Sequence, residues 1–106
     1  MNWVKIFNSL QEAQSRLTEN KPQLVVAGSI RICLVMRGDQ FFAVSNRCTH
    51  NGESLSKGRV NFSNEIVCPW HGYQFDLRTG REYRQRSADL ETFPVKIEAD
   101  GVYIGM

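Results

Sequence analysis

Apolar and polar residues alternate along much of this chain, and turn residues interrupt the alternation at short intervals. Trp3–Phe7 sets Trp3, Lys5 and Phe7 against Val4 and Ile6, which predicts a short edge strand. Ser9-x-x-Glu12 has the form of a capping box, with Leu10, Ala13 and Leu17 at helical spacing. One short helix over about 10–17 follows, ended by Asn20-Lys21-Pro22. Strand signals then take over. Gln23–Ala27, Ile30–Arg37 and Gln40–Ser45 read as strands joined by tight turns at Gly28-Ser29 and Gly38-Asp39. Residues 61–64 read as a polar turn, Glu65–Val67 as a brief strand, 72–76 as a returning strand and 77–80 as a turn. Residues 81–89 are polar, basic and unpatterned. Residues 92–98 and 102–104 predict a closing hairpin around Asp100-Gly101. Many short strands and one small helix make an all-β fold of short antiparallel strands, an open barrel or sandwich.

Length and composition narrow this picture. The 106 residues fit a single domain, 1–106, with no internal repeat or low-complexity segment. A core drawn from 42% hydrophobic residues is modest, and a domain of this size profits from a metal staple. The net charge of +2 is too small to argue for nucleic acid. The first twelve residues contain no apolar run and no cleavage site, so no signal peptide is expected. No stretch approaches the ~20 apolar residues of a membrane span. Three cysteines are an odd number, which suits a reducing cytoplasm better than a disulfide scaffold.

The chemistry concentrates between Cys48 and Asp76. C-T-H-N-G-E-S-L and C-P-W-H-G-Y-Q-F-D supply two Cys-His pairs, Cys48/His50 and Cys68/His71, separated by the seventeen residues 51–67. Two thiolates and two imidazoles complete a first coordination shell. Gly52 and Gly72 follow the pairs closely and let each loop turn back tightly. Zinc fingers usually keep like ligands together, as C-x-x-C and H-x-x-x-H. Here each loop gives one sulfur and one nitrogen. One reading is a mononuclear structural zinc. The other sends both sulfurs to one iron and both nitrogens to a second, as in a centre where two His replace two Cys.

The segment resembles the Rieske motif C-x-H…C-x-x-H, and T-H-x-G, C-P-x-H-G and F-D-x-x-T-G match as well. The resemblance spans roughly 4–104. It implies one Rieske 2Fe–2S cluster in a small β subdomain at about 46–80. Cys48 and Cys68 would hold the buried iron, and His50 and His71 the outer one. Asn51, Gly52, Pro69, Trp70, Gly72, Tyr73 and Phe75 would surround it. Two ferric ions, two sulfides and two thiolates sum to zero charge with neutral imidazoles, whereas an all-Cys cluster sums to −2, so reduction here is less costly. Outer imidazoles also give an electron a short exit.

High-potential members, those of the cytochrome bc complexes, carry an extra Cys in each ligand loop and link them by a disulfide. The matching positions are Glu53 and Trp70. Those members also place Ser and Tyr hydroxyls on the sulfurs, where this chain has Tyr73 and Phe75. Fewer donors stabilise the reduced cluster less, so the expected potential lies near the low end, about −150 mV or somewhat above. A catalytic oxygenase would need a further iron on two His and a carboxylate, but the two His of this chain are both in the motif. No Gly-rich nucleotide fingerprint is present either. The expected function is a one-electron carrier, not an enzyme. It would run from a flavin- or NAD(P)H-dependent reductase to a terminal Rieske-type oxygenase. The alternative is a small accessory subunit of a larger oxidoreductase, such as that of assimilatory nitrite reductase.

Other residues have plainer readings. Cys33, in I-R-I-C-L-V-M, reads as core. Pro69 fixes a turn, and Asp76 reads as a turn partner. Trp70 either shields the cluster or joins a docking surface. Residues 47–86 hold seven basic and four acidic side chains, a net +3 against −1 for the rest, which reads as a basic collar or as ordinary solvated surface. The family covers its cluster with a third loop, often Pro-rich. The matching stretch, 83–90, has no proline, so a looser cover is expected.

Overall fold

A computed structural model describes residues 1–106. Ten strands form three antiparallel sheets with no closed barrel. In chain order they are β1 (Trp3–Phe7), β2 (Gln23–Ala27), β3 (Ile30–Arg37), β4 (Gln40–Ser45), β5 (Arg59–Val60), β6 (Glu65–Val67), β7 (Gln74–Asp76), β8 (Thr92–Phe93), β9 (Val95–Glu98) and β10 (Gly101–Gly105). The sheet orders are β1-β10-β9, β2-β3-β4-β8 and β5-β6-β7. The single helix, α1 (Leu10–Arg16), starts as expected: Ser9 caps it by accepting from the Glu12 N–H at 3.0 Å. Glu12 reaches back to Asn8 rather than to the cap.

β3 is the hinge of the architecture. It reads as a continuous apolar run because both its faces are covered. Ile32, Leu34 and Met36 point into one core with Phe7, Ala13, Val102 and Ile104, between the first two sheets and α1. Cys33 and Val35 point the other way, into a second core with Val44, Leu55, Ile66, Phe75, Leu77 and Leu90. Cys48 and Cys68 belong to that second core. The sheet that carries the second Cys-His loop is therefore bolted to the central sheet by apolar packing under the thiols. Cys33 is fully buried, and burial pushes its thiol up to about 12, so it stays protonated as a small hydrophobe.

Several expectations shift. The strand expected over 92–98 is two strands in two different sheets, because Pro94 between them has no N–H to continue a ladder. The strand expected from 72 begins at Gln74, since His71 (φ 72°) and Gly72 (φ 70°) are both left-handed and belong to the loop. β5 and a 3-10 turn at Leu55–Lys57 carried no periodic signal; Leu55 is nonetheless fully buried. In β1 a register shift between Lys5 and Phe7 turns Phe7 inward, beside the partly buried Val4 and Ile6. The turn at 61–64 is built by Asn61, whose side-chain oxygen accepts from Ser63 N (3.0 Å) and Glu65 N (3.1 Å). Asp76 is a turn partner, accepting from Arg78 N at 2.7 Å and Thr79 N at 3.1 Å.

Gly80 pins the far end of the 81–89 stretch. It has φ 79°, and Leu90 N donates to its carbonyl at 2.8 Å. A Cβ there would run into the Leu90 backbone carbonyl. Gly38 has φ 63° but open space around it. Gly80→Ala is expected to cost roughly 2–4 kcal/mol, from left-handed strain plus overlap, and Gly38→Ala only about 1 kcal/mol. Urea unfolding of both variants checks this; equal costs would refute the close backbone contact.

Candidate metal centre

Two loops meet above the second core, and they close in the same way. In the first, Cys48 N–H donates to the Glu53 carbonyl at 2.9 Å; in the second, Cys68 N–H donates to the Tyr73 carbonyl at 2.8 Å. Each bond spans five residues. The fourth residue after each cysteine is a left-handed glycine, Gly52 (φ 79°) or Gly72 (φ 70°). This is the physical content of the C-x-H-x-G and C-x-x-H-G spacing: one loop shape, used twice, with a histidine at its crest.

The base of the first loop is clamped by Asn46, a buried polar residue. Its side-chain oxygen accepts from Ser56 N at 2.8 Å, its carbonyl accepts from Leu55 N at 2.8 Å, and its N–H donates to the Arg31 carbonyl at 3.1 Å. Asn51 links the two loops: its side-chain oxygen stands 3.9 Å from the Cys68 sulfur, and it also accepts from Glu53 N at 3.0 Å.

The four donors divide by depth. Cys48 and Cys68 are each 1% exposed, whereas His50 and His71 are exposed, their ring centroids 5.5 Å apart. Phe75 is fully buried among the residues beneath the thiols. Pro69 and Trp70 are exposed; Trp70 retains 58% of its surface and lies 5.5 Å from the His71 ring. Tyr73 is partly buried and stacks flat on His50, with centroids 3.8 Å apart and an interplanar angle of 10°. Lys57 and Arg59 share a shallow cleft with Cys68, Pro69 and Gly72, and Arg47 shares another with Cys48 and His50.

The donor set fits a binuclear centre. Burial and the neighbouring Cys48 push the Cys68 thiol up to about 11, although the Trp70 backbone pulls the other way. A metal cation bound there would supply the positive charge that draws the Cys68 proton off.

The stretch at 83–90 is not loose. Glu82 is fully buried and accepts from Arg84 N (3.1 Å), Arg86 N (2.7 Å), and the Arg86 side chain at Nε and Nη2 (both 3.2 Å). The Arg86 guanidinium in turn lies 3.8 Å from the centroid of the Tyr73 ring. At the other end, the Thr49 hydroxyl donates to the Ala88 carbonyl at 2.5 Å and shares a hydrogen bond with the Ser87 hydroxyl at 3.1 Å. A buried carboxylate paired with an exposed arginine, and a threonine, do the fixing that proline was expected to do. Glu82, Arg86 and Asn46 carried no motif, and Thr49 entered only as the first position of T-H-x-G. The one available signal was Glu82 and Arg86 at i,i+4 within a basic stretch.

Comparison with known proteins agrees with this geometry. The Rieske [2Fe-2S] domain family matches residues 3–94. The 3-phenylpropionate/cinnamic acid dioxygenase ferredoxin subunit of Shigella flexneri is 33% identical over 76 residues, which are 71% of this chain and 72% of that one. The ferredoxin of carbazole 1,9a-dioxygenase from Nocardioides aromaticivorans superposes with a TM-score of 0.85 at 23% identity, covering 99% and 98% of the two chains. A chain from the complex of reduced oxygenase and oxidized ferredoxin in carbazole 1,9a-dioxygenase gives a TM-score of 0.80 at 28% identity, covering 97% and 92%.

Glu82 makes the anchored stretch sensitive to acid. Burial alone raises its pKa, but the bonds from the Arg86 side chain and from the Arg86 and Arg84 N–H groups outweigh it and hold the carboxyl at about 2, below its ordinary 4.5. A depressed native pKa stabilises the fold above the unfolded value. That stability is lost as pH falls from about 4.5 towards 2. Chemical denaturation from pH 6 to 3 should show the wild type losing stability faster than Glu82→Gln. Parallel curves would contradict the assignment.

Proposed function

This chain belongs to the Rieske [2Fe-2S] domain family, and on that premise we propose that it carries single electrons from a reductase to a terminal Rieske-type oxygenase. Its named relatives are ferredoxin subunits of dioxygenases, which are electron-transfer components and not catalytic ones. The observation that carries the reading is the division of the donor set: two thiols buried at the head of a core, and two imidazoles exposed above them on loops of one shape.

In this reading Cys48 and Cys68 hold the inner side of a Rieske-type cluster and His50 and His71 the outer side. The supporting part of the chain is about 46–80 together with the anchored stretch after it. When bound, the cluster accepts and releases one electron. The protein contributes the rest. The apolar layer of Val35, Val44, Leu55, Ile66 and Phe75 keeps water from the sulfur side and lowers the local dielectric. His50 and His71 reach solvent, so a partner docked there meets the ligand edges directly. Phe75 has no hydroxyl and Tyr73 turns its ring to His50, which supports a potential at the low end of the Rieske range, about −150 mV or somewhat above. No helix is long and apolar enough to cross a membrane. An odd number of cysteines, two of them in the Cys-His pairs, supports a reducing, cytoplasmic setting.

Metal and sulfide analysis of anaerobically purified protein tests the ligand assignment. Two iron and two acid-labile sulfides per chain are expected, and Cys48→Ala, Cys68→Ala, His50→Ala or His71→Ala should each abolish them. Cys33→Ala should keep them and lose roughly 1 kcal/mol of stability, as a small buried side chain is trimmed. One zinc per chain, or cluster loss in Cys33→Ala alone, would contradict it. The relay is tested by reconstitution: a flavin reductase and a Rieske oxygenase should turn over only when this chain is added, and no turnover with any such pair would argue against it. Isolation in a persistent complex with a large reductase would point instead to an accessory subunit.

A further inference from the structure

Glu82 is the one charged side chain buried completely, and its carboxylate holds Arg86 with both oxygens. That geometry fixes a guanidinium that would otherwise wander: the backbone N–H groups of Arg84 and Arg86 orient the carboxylate, and the carboxylate orients the fork. Gln85, left-handed at φ 56°, bends the chain so that its own N–H reaches the Glu82 carbonyl at 2.9 Å and Arg86 returns over the ligand loops. The Tyr73 ring is then shared. His50 and the Arg86 guanidinium each lie 3.8 Å from its centroid, which places them on opposite faces. An isolated surface ion pair contributes little, but this pair is locked by four hydrogen bonds and an aromatic plate.

We propose that Glu82, Arg86 and Tyr73 are positioning residues for the metal centre: the column Glu82–Arg86–Tyr73 clamps the plane of the His50 imidazole and places a carboxylate-paired guanidinium one ring away from it. The inference rests on His50 being a cluster ligand, as read above. Its consequence is a set point for the potential. Reduction adds one electron, supplied by the reductase, and converts one ferric ion to ferrous, so the cluster becomes one unit more negative. The electron leaves again to the oxygenase. A guanidinium one aromatic ring from His50 would favour the reduced state of a cluster held there, and the carboxylate beside it would oppose that. In the intact pair the carboxylate offsets part of the guanidinium's field, and removing either one leaves the other uncompensated.

The test is a mediated dithionite titration of the cluster-loaded protein, followed by EPR, for wild type, Arg86→Met, Arg86→Lys and Glu82→Gln. Arg86→Met leaves a bare carboxylate and should lower the equilibrium constant for reduction roughly three- to tenfold, where tenfold is about 59 mV for one electron. Glu82→Gln leaves a bare guanidinium and should raise it by a similar factor. Arg86→Lys keeps the charge and should fall between wild type and Arg86→Met. Opposite signs are the signature, because generic loosening of the loop has no reason to move the potential both ways. If Glu82→Gln does not load a cluster, the ordering of Arg86→Met and Arg86→Lys decides alone: Met well below wild type with Lys between supports the column. Shifts of the same sign, or potentials unchanged while iron, sulfide and EPR signal are intact, would overturn the column and leave the electron-carrier reading standing. A wild-type protein without a 2Fe–2S signal would overturn both.

Discussion

Two thiols buried side by side constrain everything around them. Cys48 and Cys68 arrive on separate loops at the head of a packed core, where burial and the neighbouring Cys48 push the Cys68 thiol up to about 11. On the proposed reading, such a pair suits a cationic iron centre. The rest of the design follows. The loops must present their cysteines inward and their histidines outward, which the repeated closure from Cys N–H to the fifth carbonyl onward achieves. The core beneath must be dry and rigid, which the second face of β3 ensures.

The scaffold was largely legible because its signals are local. Strand periodicity and Gly-centred turns set β2, β3 and β4 to their observed ends, and Ser9 and Glu12 marked the helix start. The two Cys-His pairs stood out because coordination chemistry restricts both residue type and spacing. What could not be read was long-range. Pro94 lies in an alternating run, and only the packing of two sheets shows that the chain changes sheet there. Leu55 sits alone among polar neighbours, yet the second core buries it completely.

The stretch after Gly80 gives the sharper lesson. A polar, proline-free sequence suggested a loose cover, because side-chain anchoring has no periodicity. Glu82 stabilises it by folding under its own backbone, and Thr49 ties it to the first ligand loop. Basic residues that looked like a collar thus have distinct situations. Arg86 is bound to Glu82 and Tyr73, while Arg47, Lys57 and Arg59 line clefts beside the ligand loops.

The most direct measurement is the midpoint potential of the anaerobically purified wild-type protein, titrated and followed by EPR. The account predicts a reduced signal with the low average g of mixed His and Cys ligation, and a midpoint near the low end of the Rieske range, about −150 mV or somewhat above. A midpoint far above zero would contradict the argument from Phe75, Tyr73 and the absent second pair of cysteines. A colourless, EPR-silent protein holding one zinc would contradict the electron relay itself.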